Sequence, residues 1–436
     1  MKPERIELLP GVFFNRIPVD TFKMSRLSLF LSVPLCDESS ASRLALLPSV
    51  LRQGTEAYPT AAAIVRRQEE LYSADLGTGV FKAGDNEVLL FSVDYMRQSF
   101  VPDGSSLLRG AVELLSGLLF APHIDKTTGV FSDEYVEREK KNACDRIRSL
   151  QNNKALYALH RCVSLMCERE AYGLAEYGTV EETEKITPAS LYAAYRALLA
   201  SAHIEIFFTG TEREEELLPL LLPYLERLHR HPAALPRTAV RYRAEKKRQI
   251  AERTVARQGR LCIGFRSGVA MQDSDAPAFS LFHTLYGASP TSKLFVNVRE
   301  KLSLCYSCSS TAHMMKGVFF VSAGIENASR RRALREIFRQ LSRMRAGRIT
   351  EREMNMGKRS LINQLRSIMD EPAAIERWYF NRALLGLSQS PEEYAEAISA
   401  ITVKDVARIA KGVTADTVYF LRAVPENTGE EESYEL

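Results

Sequence analysis

Features that mark secreted, membrane-spanning or disordered proteins are missing from this sequence of 436 residues. The seven cysteines are scattered and odd in number, which is typical of free thiols in a reducing compartment. No stretch approaches the roughly 18 apolar residues of a membrane span. The N-terminal MKPERIELLPG lacks the apolar core of a signal peptide. We therefore expect a cytoplasmic protein with no membrane partner.

A strong excess of one charge is also missing. The formal net charge is only +4, so the molecule as a whole does not have the composition of a polyanion binder, and we expect no nucleic-acid partner. Apolar residues at 45% and charged residues at 26% are ordinary globular values. Because 436 residues are too many for one hydrophobic core, we expect two or more domains.

The order of predicted elements repeats after about half the chain. Residues 4–16 and 21–34 predict two strands, and residues 76–96 predict a hairpin. The run ITPASLYAAYRALL…HIEIFF from Ile186 matches ITVKDVARIA…TVYFL from Ile401. Such self-similarity predicts tandem copies of one unit. The expected fold class is α+β, with two homologous halves that each contain a mixed, mostly antiparallel sheet packed with helices.

A change of composition separates the two copies. Prolines punctuate the start of residues 229–260, and arginine and lysine dominate the rest. We predict a first half at 1–225, a basic linker at 226–248 and a second half at 249–436. A solvated tether explains the basic run, since no aromatic residues are interleaved with it; a polyanion site there and along 330–348 is the alternative.

The stretch ASRLALLPSVLRQGTEAYP (41–59) predicts a helix from its apolar spacing of three and four, with a stop at Gly54. Pro48 favours a kink or a late helix start. The run LLPSVLRQGTEAYPT resembles the metal-binding helix of the pitrilysin/insulinase family of zinc peptidases, which includes mitochondrial processing peptidase. In that family His-x-x-Glu-His precedes Gly-Thr. The two histidines would fall on Ala45 and Ser49, and the glutamate on Pro48.

The third zinc ligand of the family is a glutamate on a later helix. In EKKNACDRI (139–147) it would fall on Arg146, with Asp145 as the alternative. A zinc peptidase needs two imidazoles, a carboxylate and an open position for water. The resemblance thus implies a member that has lost its zinc site. We expect no metal, no cofactor and no catalytic residue in this chain on its own.

A second segment, SKLFVNVREKLSLCYSCSS, resembles the family motif in which an arginine and a tyrosine contact bound peptide. Those positions are Arg299 and Tyr306. An arginine near a helix end and a tyrosine on the following strand can both donate hydrogen bonds to peptide carbonyls. The alternative is a surface arginine and a core tyrosine. Cys305 and Cys308 form a single pair, for which a metal or redox role is the less favoured interpretation.

The resemblance implies two halves arranged as a clamshell and a non-catalytic homologue that binds a peptide or an unfolded protein segment. It also implies a zinc-motif paralogue as partner, so the chain could be one subunit of a heteromeric metalloendopeptidase. A stand-alone scaffold or regulator without protease activity, as a homodimer, is the alternative. The ending ENTGEEESYEL predicts a loose acidic tail.

Overall fold

The computed structural model describes residues 2–425 and 434–435, so most of the predicted acidic tail lies outside the described residues. The chain divides into two compact units, each made of three segments. Unit 1 contains Met1–Arg148, Leu174–Arg237 and Met369–Ser390. Unit 2 contains Ser149–Gly173, Thr238–Ile368 and Pro391–Leu436.

The first half of the sequence alternates strands and helices. Its elements are β1 (Glu4–Leu9), β2 (Val12–Pro18), β3 (Met24–Pro34), α1 (Glu38–Leu51), α2 (Ala61–Glu70), β4 (Asp75–Ala83), β5 (Asn86–Met96), α3 (Leu108–Phe120), α4 (Asp133–Ser149), α5 (Lys154–Met166), α6 (Val180–Glu184), α7 (Pro188–Ser201), β6 (His203–Gly210) and α8 (Glu214–Leu225).

The second half follows a similar order. Its elements are β7 (Arg248–Val255), β8 (Gly259–Arg266), α9 (Ala276–His283), β9 (Ser307–His313), β10 (Val318–Ile325), α10 (Arg330–Arg345), α11 (Glu351–Ile368), α12 (Pro372–Ala383), α13 (Pro391–Ala400), α14 (Val403–Gly412), β11 (Thr414–Val424) and β12 (Tyr434–Glu435). Two further turns, Thr284–Ala288 and Phe295–Lys301, are π-helical.

The two six-stranded sheets share the order of five strands and differ at one edge, where β1 precedes β2 in the chain and β12 follows β11. Unit 1 has the order β1-β2-β6-β3-β5-β4, in which β2 and β6 are parallel and the other neighbours are antiparallel. Unit 2 has the order β12-β7-β11-β8-β10-β9, in which β7 and β11 are parallel and the others antiparallel. The predicted α+β class with two homologous halves is confirmed.

In each unit, one face of the sheet packs on several helices. In unit 1 this core includes Leu27, Leu29 and Leu31 of β3 with apolar residues of α1, α3 and α7. Successive side chains of a strand point to opposite faces. Ser28 and Phe30 therefore lie on the second face, where α12 covers them through the stacked rings of Phe30 and Phe380, 4.3 Å apart.

The second face of the unit 2 sheet is covered by α5. Cys162 and Met166 of α5 join Cys262, Phe320 and Tyr419 of the sheet in one buried apolar cluster. Thus α5, from the first half of the sequence, belongs to unit 2, whereas α12, from the second half, belongs to unit 1.

The structure refines three details of the predicted elements. The strand predicted at 4–16 is two strands with a turn at Pro10 and Gly11, whose φ of +70° suits glycine. Helix α1 begins at Glu38, ten residues before Pro48, so the late start is excluded. The helix predicted over SKLFVNVREKLS is π-helical from Phe295.

Among the described residues, no helix combines the length and the apolar character needed to cross a membrane.

Candidate functional site

Helix α1 carries the three positions that correspond to the zinc motif of the resembled peptidases. Its first turn is capped by Asp37, whose carboxylate accepts a hydrogen bond from the backbone N–H of Ser40 at 2.8 Å. Ala45 and Pro48 are buried, and Ser49 is half-buried. Positions 45 and 49 lie on one face of the helix because they are four residues apart. That face presents a methyl group and a hydroxyl group.

Helix α4 places a buried carboxylate beside the end of α1. Glu139 accepts hydrogen bonds from Gln53 Nε2 at 3.0 Å and from Asn142 Nδ2 at 3.3 Å, and Arg138 Nε lies 3.5 Å from its carboxylate. The amide oxygen of Gln53 in turn accepts from Arg138 Nη2. The carboxylate of Glu139 is therefore engaged in a hydrogen-bond network rather than free to bind a metal. Sequence reasoning missed this network, whose ends are 86 residues apart.

Arg146 lies on the exposed side of α4, near its C-terminal end. Its guanidinium carbon is 4.8 Å from the centre of the Tyr177 ring, which is a cation–π distance. Burial and the neighbouring Glu176 raise the pKa of Tyr177, and Arg146 acts in the opposite direction. Asp145, the alternative ligand position, is exposed and lies 3.6 Å from Arg148.

The segment after Tyr177 packs against the first turns of α1. Gly178 has a φ of +67°, and a Cβ added there would lie 1.9 Å from Ser42 Oγ. The backbone N–H of Thr179 donates to the same hydroxyl oxygen at 3.2 Å. Only glycine allows this close approach. It places Tyr177, and with it Arg146, in the same region of unit 1 as α1.

The four positions do not fit a zinc ion. Ala45 has no donor atom, Pro48 has no carboxylate and Ser49 offers only a neutral hydroxyl. The guanidinium of Arg146 stays protonated and would repel a divalent cation. Within residues 2–425, no group of three or more histidine, cysteine, aspartate or glutamate side chains is placed to hold a metal ion.

A buried carboxyl group of the β4–β5 hairpin lies near the half-buried Glu176. Glu87 of β5 is only 1% exposed, and its Oε1 has no hydrogen-bond partner. Burial, followed by the nearby Glu176, raises the pKa of Glu87 to about 9, against the opposing effect of Lys82. Burial also raises the pKa of Glu176. Glu87 therefore keeps its proton at neutral pH. Sequence reasoning missed this pair, although the facing of Lys82 and Glu87 across the hairpin was a possible signal.

Arg299 and Tyr306 lie in the segment that leads into β9 of unit 2. Arg299 belongs to the π-helical turn, with its guanidinium carbon 4.6 Å from the centre of the Phe295 ring. Tyr306 is 68% exposed, and its backbone N–H donates to Gly324 O at 3.1 Å. The core alternative for Tyr306 is therefore wrong. A hydrogen bond from Cys308 lowers the pKa of the Cys305 thiol, and Arg299 contributes in the same direction.

Each unit also has an edge strand on the same side of its sheet order. These edge strands are β4 in unit 1 and β9 in unit 2. β4 contains Gly77 and Gly79, and a Cβ added at Gly79 would meet no atom within 4 Å. A glycine within a strand leaves room for the close approach of another backbone. An unpaired strand edge can bind an extended peptide by adding a strand.

The comparisons with known proteins agree with this geometry. A family model described as the peptidase M16 inactive domain matches residues 185–361. That range includes Arg299 and Tyr306, but not the zinc-motif positions of α1 or α4. The chain belongs to the M16 family of pitrilysin-like peptidases, and its positions for the zinc motif carry no zinc ligand.

The relatives cover nearly the whole chain. The probable inactive metalloprotease YmfF of Bacillus subtilis (strain 168) is 27% identical over 412 residues, which are 94% of this chain and 96% of that protein. A conserved protein from Enterococcus faecalis V583 has a crystal structure that is 30% identical, with a TM-score of 0.89, over 98% of this chain and 100% of that one. The peptidase M16 inactive domain from Pseudomonas fluorescens, 19% identical over 98% and 100% with a TM-score of 0.80, shows the shared fold alone.

Proposed function

We propose that this chain binds an extended peptide or an unfolded protein segment, and that it acts as the non-catalytic subunit of a metalloendopeptidase. Its partner would be a zinc-bearing paralogue with an intact His-x-x-Glu-His motif. The observation that carries this proposal is a contrast between two sites. The positions on α1 and α4 that correspond to the zinc site carry a methyl group, a pyrrolidine ring, a hydroxyl group and a guanidinium group. Tyr306, in contrast, is 68% exposed at the start of an edge strand.

The edge strands support the peptide-binding part of the proposal. An added strand makes main-chain hydrogen bonds that do not depend on the sequence of the peptide. Near β9, the hydroxyl of Tyr306 and the guanidinium of Arg299 supply donors for peptide carbonyl groups. Nothing comparable supports hydrolysis by this chain alone, because the positions that would bind and activate water carry no suitable group.

Reconstitution tests both parts of the proposal. The chain and a His-x-x-Glu-His paralogue from the same genome would be purified separately, and cleavage of casein would be measured for each alone and for the mixture. We expect efficient cleavage only from the mixture. Arg299→Gln and Tyr306→Phe should each lower the rate about tenfold, the size expected for one lost charge-assisted or well-placed hydrogen bond.

Tyr242→Phe provides a matched control, because Tyr242 is also an exposed tyrosine of unit 2, at 42% exposure. It should leave the rate unchanged. A paralogue that cleaves casein equally well without this chain would contradict the proposal. Casein binding without any complex, together with a homodimer in analytical ultracentrifugation, would instead support the stand-alone scaffold.

A further inference from the structure

A cavity of about 650 Å³ lies among the ends of three helices in unit 1. It is bordered by the end of α3, by α7, by the end of α8 and by the residues that follow α8. Its volume is within the range of small-molecule sites, roughly 300–1,000 Å³. None of the positions on α1 and α4 that correspond to the zinc site lines this cavity.

One wall of the cavity is aromatic and held in place by its own contacts. The hydroxyl of the buried Tyr195 donates to Leu119 O at 2.9 Å. The rings of Tyr195 and Tyr192 stack with their centres 5.9 Å apart, and the rings of Phe120 and Tyr224 are 6.4 Å apart. A wall that is already ordered costs a ligand little conformational entropy on binding.

The backbone carbonyl groups at the end of α7 already accept hydrogen bonds. The N–H of His231 donates to Ala200 O at 2.8 Å, and the guanidinium of Arg230 donates to Leu199 O and Ala202 O. The C-terminal end of a helix normally presents unpaired carbonyl oxygens and a negative partial charge. Because Arg230 binds two of these oxygens, that negative end is largely offset beside the cavity.

The charged part of the lining is mainly basic. Arg196, Arg227, His229 and His231 line the cavity together with one acidic residue, Glu56, and the four basic residues are exposed. Among the described residues, neither Arg196 nor Arg227 forms an ion pair. The rim of the cavity therefore carries two arginines that are available to an anionic ligand.

The basic rim lies close to the aromatic wall. Burial raises the pKa of Tyr195, and Arg196 opposes that rise. Burial and the nearby Glu113 raise the pKa of Tyr224, and Arg227 opposes that rise. Each guanidinium is thus close enough to a tyrosine to affect the pKa of the tyrosine hydroxyl. A ligand that spans wall and rim would contact both an aromatic face and a cation.

We infer that this cavity binds a small planar anion, namely an aromatic ring system that carries a carboxylate or a phosphate. The ring would stack on the tyrosines. The anionic group would pair with Arg196 or Arg227, since guanidinium groups bind carboxylate and phosphate through two parallel hydrogen bonds. A neutral planar molecule would lose the ion pair, and an aliphatic anion would lose the stacking.

The fluorescent probe anilinonaphthalene sulfonate tests this inference on the full chain, with the neutral N-phenylnaphthylamine as its comparison. We expect the anionic probe to bind more tightly. The double variant Arg196→Glu/Arg227→Glu should weaken its binding about tenfold or more, the size of one lost charge-assisted hydrogen bond, and should leave the neutral probe unaffected. Tyr224→Ala should weaken both probes.

Arg66→Glu is the matched control, because Arg66 is an exposed arginine of unit 1 outside the cavity. It should change nothing. Adenosine monophosphate and indole acetate then compete with the bound probe: displacement by either supports the inference and shows which anionic group is preferred. Equal affinity for both probes, no effect of the double variant, or no displacement by either competitor would overturn it.

Discussion

Units 1 and 2 share the order of five strands in their sheets, but a buried glutamate near the covering helix of each sheet has different charged partners in the two units. In unit 1 the covering helix α12 brings Glu376, which is fully buried. In unit 2 the covering helix α5 leads into Glu170, whose side chain is only 4% exposed. Both are buried glutamates, but their pKa values shift in opposite directions. Shared topology therefore does not fix how a buried charge is compensated.

Glu376 has one cationic partner and two hydroxyl donors. Arg26 Nε lies 3.1 Å from Glu376 Oε2, Thr209 Oγ1 donates to Oε1 at 3.0 Å and Ser28 donates to Oε2. Arg26 also pairs with Asp94. Because burial outweighs these contacts, the pKa of Glu376 rises from 4.5 to about 7.

Glu170 has three cationic partners, of which Arg241 is the most distant, with its Nε 3.7 Å from the carboxylate. The carboxylate of Glu170 lies 2.7 Å from Arg266 Nη2 and 2.9 Å from Lys316 Nζ, and Arg266 Nε also pairs with Asp416 at 2.8 Å. Burial opposes ionisation, but the hydrogen bonds from Arg266 and Lys316 outweigh it and lower the pKa of Glu170. Glu170 is therefore ionised, within a buried cluster of charged side chains in unit 2.

The largest expected effect follows from breaking the network of unit 2. Glu170→Gln would leave Arg266 and Lys316 buried without their shared carboxylate. Removing one partner of a buried ion pair typically costs about 3–5 kcal/mol of folding free energy. Hydrogen exchange of β8 and β11 would measure this loss within unit 2.

Glu168→Gln is the control for that variant. Glu168 lies two residues away and pairs with Arg248 at 2.7 Å, but its side chain is 49% exposed. An exposed pair contributes about 0–1 kcal/mol. Equal losses from the two variants would show that burial does not distinguish these two ion pairs.

The corresponding substitution in unit 1, Glu376→Gln, should stabilise the fold instead of destabilising it. A raised carboxyl pKa means that folding favours the proton, so this contribution is present below about 4.5 and is lost as the pH rises through about 7. Glu376→Gln should therefore stabilise unit 1 by up to about 3 kcal/mol near pH 8 and have almost no effect near pH 4.

The only tryptophan in the sequence, Trp378, lies on α12 and donates to Gln389 O at 3.0 Å. Its fluorescence thus reports the unfolding of unit 1 specifically. Glu215→Gln, at an exposed position of α8 in unit 1, serves as the control and should leave the pH profile unchanged. Destabilisation of unit 1 by Glu376→Gln near pH 8 would mean that the ion pair with Arg26 outweighs the cost of burial.

The smallest expected effects concern a feature that the two units share. Thr187 caps α7 and Thr402 caps α14, each through a reciprocal pair of hydrogen bonds with the third helical residue. Thr187→Ala and Thr402→Ala should each cost about 1 kcal/mol. Thr→Ser at either position keeps the hydroxyl and should cost much less. A large difference between the two alanine variants in urea unfolding would contradict equivalent caps.

The sequence predicted the repeated part of the fold well. Strand alternation and capping residues are local signals, so the hairpin at 76–96 and the matching helix–strand endings at Ile186 and Ile401 could be predicted directly. The caps Thr187 and Thr402 are 215 residues apart, the same offset as those endings. The turn at Gly11 was missed because apolar residues continue on both sides of it.

The packing partners of the helices could not be read in this way. Periodicity shows that α5 and α12 are helices, but it does not show which sheet a helix covers. The buried pairs share this limitation, because Glu376 and Thr209, which are joined by a hydrogen bond, are 167 residues apart. Burial, and with it the direction of a pKa shift, depends on contacts that are distant in sequence.

The residues of the candidate site show the same difference between local sequence signals and tertiary contacts. Ala45, Pro48, Ser49 and Arg146 were identified by motif position, and the structure gives none of them a donor set for zinc. The network of Gln53 and Glu139 and the protonated Glu87 were not predicted, because both arise from tertiary contacts. The role of Arg299 and Tyr306 in binding peptide remains a prediction.

Zinc binding by the purified chain tests the central claim most directly. The chain would be incubated with excess zinc, desalted and analysed for metal by mass spectrometry, with the zinc-motif paralogue as a positive control. We predict far less than one zinc per chain, because neither α1 nor α4 offers an imidazole or a free carboxylate at the required positions. One tightly bound zinc per chain, together with casein cleavage by this chain alone, would contradict the account.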